Sequence, residues 1–381
     1  MEGARRTRHE TVLRLARVHE GDPWREGLDA EARQLLLNAG IFYEVAVAAE
    51  PADGGVRLRI ALREKWTLVG FPLFVAKDGE TTWGGTVVES NLLGRASRLV
   101  AVLTVREGQP GGTLLYVDPH LGGTPFQLFG ALAHVDRRTE VWDDDGEIGS
   151  YRSRSSGATL ALGRRFAART SLSLGLRLTD FSFDDPEGVA APPDDARERA
   201  IALQLRHEGT DLDEERRTGL FLEARLERGA SFLGDEVGRA AASAILRWSR
   251  ALPGRSTLGL AGHALWTDTA DYEPASRPAT AFLRGYEEDR FRPDRLLGGS
   301  LEWQRPLARF REATFSLVPF VDAALLRDEH RSFAPADVQA DAGVALAVYL
   351  RRVAFPVLQL YGAYGFASGT VLPGFSLGMG F

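Results

Sequence analysis

The stretch Phe282 to Arg295, FLRGYEEDRFRPDR, is the tightest cluster of charged and aromatic residues in the chain. Within it, Arg284-Gly285-Tyr286 places a guanidinium beside a residue without a side chain and a phenol. A guanidinium offers five donors in a rigid planar fork, so its chemistry is directed carboxylate binding, not bond making. Two later acidic residues face the right way if their segments are strands. Along Ser300, Leu301, Glu302, Trp303, Gln304 the polar residues share one face, and along Val318 to Ala323 Phe320 shares a face with Asp322. A guanidinium between such carboxylates forms charge-assisted bonds, and removing one member of a desolvated cluster costs about 3–5 kcal/mol, against about 0–1 kcal/mol for an exposed pair. The competing reading is a solvated loop arginine. The connection Thr267 to Arg295 that carries Arg284 is far longer than loops inside compact domains, which favours a functional or inward-folded segment.

Other chemistry-bearing patterns lead nowhere. Gly374-Phe375-Ser376-Leu377-Gly378 fits G-x-S-x-G, but a nucleophile elbow needs a following helix and a later histidine. The run Asp143-Asp144-Asp145-Gly146-Glu147 reads as an acidic loop, the seven histidines lack metal spacing, and cysteine is absent. No phosphate-binding glycine loop is present. The expectation is a protein with no catalytic site, metal or cofactor. A net charge of −6 gives no reason to expect nucleic acid.

The elements that would position Arg284 fall into two classes. In the first 66 residues, Val12, Leu13, Leu15, Ala16 and Val18 keep helical spacing until Gly21-Asp22-Pro23, and a second helix spans about Leu28 to Asn38 before Gly40. Tyr43 to Ala49 and Val56 to Leu62 then alternate about Asp53-Gly54, a hairpin signal. Taken alone, this order also fits a free-standing small α+β domain.

From residue 67 to 381 the period is 2. Leu172, Leu174, Leu176 and Leu178 alternate with Ser171, Ser173, Gly175 and Arg177; Leu220 to Leu226 alternate with charged or aromatic partners. Sixteen strands are predicted, beginning near Thr67, Thr81, Arg98, Gly112, Pro125, Gly149, Thr170, Glu198, Arg216, Ala240, Ser256, Leu296, Thr314, Ala340, Pro356 and Leu372, with fourteen as the alternative. One set of connections is short; the other includes Arg137 to Ile148, Phe181 to Arg197, Thr267 to Arg295 and Leu326 to Gln339. Short turns at one rim, long loops at the other and an apolar face opposite a polar one are the pattern of a 16-stranded antiparallel transmembrane β-barrel, which crosses lipid without any long apolar run.

Several segments resemble the bacterial outer-membrane assembly proteins of the BamA/TamA type, the surface-antigen family. Gly21-Asp22-Pro23-Trp24, Asn38 to Val45 and Arg63-Glu64-Lys65-Trp66 resemble parts of a polypeptide-transport-associated (POTRA) domain, and Asn91 to Arg95 and Asp118-Pro119 resemble the family's first periplasmic turns. Arg284-Gly285-Tyr286 resembles the signature of the family's inward loop, whose arginine contacts acids on the next two strands, here Glu302 and Asp322. Phe375, Leu377, Met379 and Phe381 resemble the C-terminal barrel-insertion signal. The resemblance implies a mainly β protein: a POTRA domain over 1–66, lacking its first strand through N-terminal truncation, and a barrel over 67–381. It implies the outer membrane, with the POTRA domain in the periplasm. Its partners would be unfolded outer-membrane proteins or a secreted client, the lipid bilayer and periplasmic accessory proteins. Insertion, secretion of a single partner and passive conduction all stay open. A weakly paired seam is expected between Thr67 to Ala76 and Gly374 to Phe381.

Overall fold

The computed structural model describes residues 1–77, 80–106, 108–143, 146–188, 191–269, 272, 283–287, 290–291, 293–328, 338–354 and 357–377. The chain opens with α1 (His9–Ala16), α2 (Leu28–Asn38), β1 (Phe42–Ala52) and β2 (Gly55–Glu64). α1 stops earlier than its apolar spacing suggests, because Arg17 turns left-handed at φ 55° and its N–H closes back on the carbonyls of Leu13 and Arg14. Both helices lay their apolar stripes on the hairpin, burying Val12, Ala16, Ala32 and Leu36 against Phe42, Val45, Ile60 and Leu62. In place of a strand ahead of α1, Glu2 makes one parallel bridge to β2: its N–H donates to Ile60 at 2.9 Å and its carbonyl accepts from Leu62 at 3.1 Å.

The remaining strands are β3 (Leu68–Lys77), β4 (Glu80–Leu92), β5 (Ser97–Arg106), β6 (Gln109–Asp118), β7 (Phe126–Trp142), β8 (Glu147–Ala167), β9 (Thr170–Gly188) and β10 (Ala196–Asp213), followed by β11 (Arg216–Gly229), β12 (Ala240–Ala251), β13 (Thr257–Thr267), β14 (Pro293–Arg309), β15 (Ala313–Asp328), β16 (Val338–Leu350), β17 (Val357–Gly365) and β18 (Val371–Leu377). They form one 16-stranded antiparallel sheet in which each strand pairs with its neighbours in sequence. The strand starts read from the sequence fall within three residues of these. Among the described residues no ladder joins β3 to β18.

Alternation decides the faces. In β9, Ser171, Gly175, Arg177 and Thr179 are buried while Leu172, Leu174 and Leu178 are exposed, so the apolar set points outward. Contacts across the polar face show that it is concave: Gln304 on β14 donates to the Glu215 carbonyl at 3.4 Å, and Glu214 meets Arg309 at 2.7 Å and Arg351 from two other turns. Two of the expected long loops prove to be strand over part of their length. Arg137 to Ile148 continues the β7–β8 ladder as far as Trp142 opposite Glu147, and β9 runs on to Gly188. The reason lies in the side chains: Val141, Tyr151 and Phe183 pack together there, while Asp136 pairs with Arg152 at 2.7 Å.

The N-terminal unit sits on the short-turn rim. Arg8 N–H donates to Gly94 at 3.0 Å and Asn91 donates to Thr7 at 2.9 Å, in the turn after β4. Gly94 is required there, since its φ is +74° and a Cβ would lie 2.3 Å from the Arg6 carbonyl oxygen. Arg14 reaches the His120 carbonyl after β6, Arg17 the Ala168 carbonyl after β8, and Asn38 bonds Asp211 at 2.8 Å and the Leu212 N–H at 2.9 Å beside the turn after β10. Trp66 N–H donates to Arg352 at 2.7 Å after β16, which brings the start of β3 beside the β16–β17 turn.

His120 is the titratable hinge of this contact. Burial, with Arg165 and Arg14 alongside, pushes its imidazole down to about 4 from 6.5, and Nε2 lies 2.9 Å from the Arg165 guanidinium, which can only donate. The unfolded chain therefore binds more protons than the folded chain between those two values, and stability falls as pH drops through that window. His120→Gln keeps an acceptor but does not titrate. Its denaturation midpoint in micelles should fall less than the wild type's between about pH 6.5 and about pH 5.

Candidate functional site

The connection between β13 and β14 returns to the concave face through a short apolar anchor. Leu283, Tyr286 and Phe291 are buried against Leu265, Leu296, Ala324 and Leu326, and the Tyr286 and Phe291 rings meet at 5.1 Å. This anchor places Arg284 over β14 and β15 with its side chain 13% exposed. The guanidinium binds Asp322 as a fork, Nε to Oδ2 and Nη2 to Oδ1, both at 2.8 Å, and its Nη1 donates to Glu302 Oε1 at 2.5 Å. Its flat face stacks on Phe320, 3.5 Å from the ring centroid. Ser300 donates to Asp322 Oδ1 at 2.6 Å.

The neighbouring residues extend the grip to β16 and beyond. Gly285 N–H donates to Asp341 Oδ2 at 3.0 Å; the Tyr286 hydroxyl donates to the Ala340 carbonyl at 3.0 Å and accepts from Ala367 N–H at 3.4 Å. Gly285 cannot be larger, because a Cβ would sit 2.7 Å from the Asp341 Cβ and 2.8 Å from the Gly365 nitrogen. Arg284, Gly285, Tyr286, Glu302 and Asp322 are thus brought together. The chemistry open to the set is a tether of directed ionic bonds.

Sequence reasoning missed Asp341. It lies directly opposite Asp322 in the β15–β16 ladder, and both carboxylates are buried. The alternation Ala340-Asp341-Ala342 shows an inward acid, but only the strand register pairs it with Asp322. A second network was also missed: Arg177, Glu198, Glu227 and Arg239 on β9 to β11 and just ahead of β12. In it Glu198 Oε1 accepts from both arginines at 2.7 Å. Of the C-terminal run, Phe375 lies in β18 opposite Leu360, and Leu377 opposite Leu358. Met379 and Phe381 lie outside the described residues. The G-x-S-x-G match begins in β18, a strand.

Solved structures share this architecture. A BamA from Haemophilus ducreyi lacking POTRA domains 1–3 matches with a TM-score of 0.56 at 15% identity, over 97% of this chain and 82% of that one. CdiB from Escherichia coli matches with a TM-score of 0.67 at 14% identity, over 97% and 73%, and CdiB from Acinetobacter baumannii with 0.61 at 15%, over 98% and 72%. These likenesses show the fold. No protein-family model and no curated protein matches the chain.

Arg284→Ala leaves Asp322 and Glu302 buried without their counter-ion, and should cost about 3–5 kcal/mol in urea unfolding from micelles. Arg284→Lys keeps the charge without the fork and should fall between. Gly285→Ala changes no charge, yet should open the 268–292 connection to protease as Arg284→Ala does. Resistance equal to wild type in Gly285→Ala would show that the loop is not seated against Asp341.

Proposed function

We propose that the protein is an outer-membrane β-barrel, residues 67–381, that inserts or translocates polypeptides, with residues 1–66 acting as a POTRA domain on the periplasmic side. The observation that carries this reading is the Arg284-Gly285-Tyr286 tether. It fixes a long connection inside a sheet whose first and last strands share no ladder among the described residues. An edge strand with free N–H and C=O groups can pair with an incoming strand. β18 carries Gly374, which weakens a strand's pairing. Clients would be unfolded outer-membrane proteins or a secreted partner, with periplasmic accessory proteins delivering them. In this proposal Arg284, Glu302 and Asp322 act as a loop lock, with no catalysis, and Phe375, Leu377, Met379 and Phe381 as the chain's own insertion signal.

The exposed apolar face would meet lipid. Leu174, 61% exposed in β9, tests this, since an arginine facing lipid near the bilayer midplane costs about 2–4 kcal/mol. Leu174→Arg should destabilise the protein more in bilayers than Ser173→Arg, which points to the concave side. Equal costs would remove the membrane assignment.

The function is tested in liposomes by the folding rate of an unfolded outer-membrane protein. Wild type should accelerate it, and Arg284→Ala should lose most of that acceleration. If neither accelerates folding and both conduct ions, the insertase gives way to a transporter or channel.

A further inference from the structure

A cavity of about 890 Å³ lies where the N-terminal hairpin meets the rim, between β1, the end of β2, the β10–β11 turn and Tyr349 of β16. Its volume is that of a ligand pocket. Lys65 lines it with only 7% of its surface exposed. The backbone fixes this residue from both sides: Lys65 N–H donates to Ile41 at 2.8 Å and Trp66 N–H to Arg352 at 2.7 Å. Among the described residues the ammonium has no hydrogen bond or ion pair, and the Tyr349 ring centroid lies 5.7 Å from it.

A buried ammonium without an anion is costly, and the acids lining this cavity are committed elsewhere. Glu44 pairs with Arg63 at 3.2 Å, and Glu64 accepts backbone N–H groups of Arg5, Arg6 and Thr7 at 2.7–3.2 Å. Asp213 is bound by Arg216, Glu214 by Arg309 and Arg351, and Glu2 faces Arg59 at 3.9 Å. Burial alone lowers the Lys65 ammonium to about 8.

We propose that this cavity binds a carboxylate carried by an extended peptide, with Lys65 as its counter-ion and Tyr349 as an apolar wall. Tyr349 belongs to the buried concave set with Ala345 and Ala347, whereas Leu346 and Leu350 face outward. The cavity therefore borders the concave side, along which the proposed function routes a polypeptide, and not the face that lipid would cover. The identity of the carrier rests on the proposed polypeptide handling; the carboxylate site rests on Lys65.

The test is calorimetric binding to the full chain in micelles. The probe is an uncharged alternating hexapeptide, N-acetylated, with either a free C-terminal carboxylate or a C-terminal amide. Wild type should bind the acid at least about tenfold tighter than the amide, a difference of about 1.4 kcal/mol. Lys65→Met should erase that preference, and Lys65→Arg should keep part of it. Lys65→Met should also melt no lower than wild type, since it removes an unpaired buried charge. Acid and amide binding alike to wild type, a preference surviving in Lys65→Met, or a lowered melting temperature in that variant would overturn the site. Displacement of the peptide by equimolar acetate or inorganic phosphate would overturn the peptide assignment in favour of a small-anion site. None of these readouts involves client folding, so a failed liposome assay and a failed binding assay are separate results.

Discussion

Two buried carboxylates, Asp322 and Asp341, stand opposite each other on adjacent strands of the sheet. Like charges in directly opposed cross-strand positions repel, and burial away from water magnifies the cost. The β13–β14 connection resolves this by bringing a guanidinium to one and a backbone N–H to the other. The dependence runs both ways. Without the loop the acids are uncompensated, and without the acids the loop keeps only the Tyr286 hydroxyl's bonds with Ala340 and Ala367 as directional contacts on the concave face. The small side chains of that face have the same origin. Ala345, Ala347 and Ala363 are buried around Phe320, and Gly343 leaves no Cβ in the way of the Phe320 ring on which Arg284 stacks.

Much of this was legible in the sequence because two strong periodicities operate. Period 2 located all sixteen strands, and the polar face through Ser300, Glu302 and Gln304 was readable without knowing a single pairing. Helical spacing and Asp53-Gly54 gave the N-terminal order. What stayed hidden depends on register and on distance in space. Asp341 is one acid among many until the β15–β16 ladder sets it against Asp322. Glu198 stands at the start of a strand, beside a segment that reads as loop because Asp and Pro dominate it. The strand extensions in β7 to β9 were missed for a related reason. Polar residues there pair across strands, Asp136 with Arg152 and Arg154 with Asp184, so a stretch of loop-like composition still makes a ladder.

The rim shows a division of labour that no local pattern encodes. Turns after β4, β6 and β8 are held by the N-terminal unit, whereas those after β12, β14 and β16 converge on Glu214, which sits at φ 55° in the β10–β11 turn. A non-glycine residue in that conformation is strained by about 1–3 kcal/mol unless its surroundings hold it, and three arginines do so here. The turn after β10 belongs to both halves, since Asn38 grips Asp211 and Leu212 immediately before Glu214.

The described cross-linking is uneven along the sheet. The middle strands are long, 21 residues in β8 and 19 in β9, and are cross-linked by buried ion pairs. Among the described residues β18 (Val371–Leu377) pairs only with β17. At the rim the two ends are joined through Trp66 and the β16–β17 turn, a junction made by backbone bonds outside both terminal strands. Among the described residues no ladder joins β3 to β18, so in the proposed reading a strand entering between them would displace none of the described pairing. Meanwhile the Arg284 tether holds β14 to β16 in register behind it. In strand order the tether, on β14 to β16, stands toward the β18 end of the sheet.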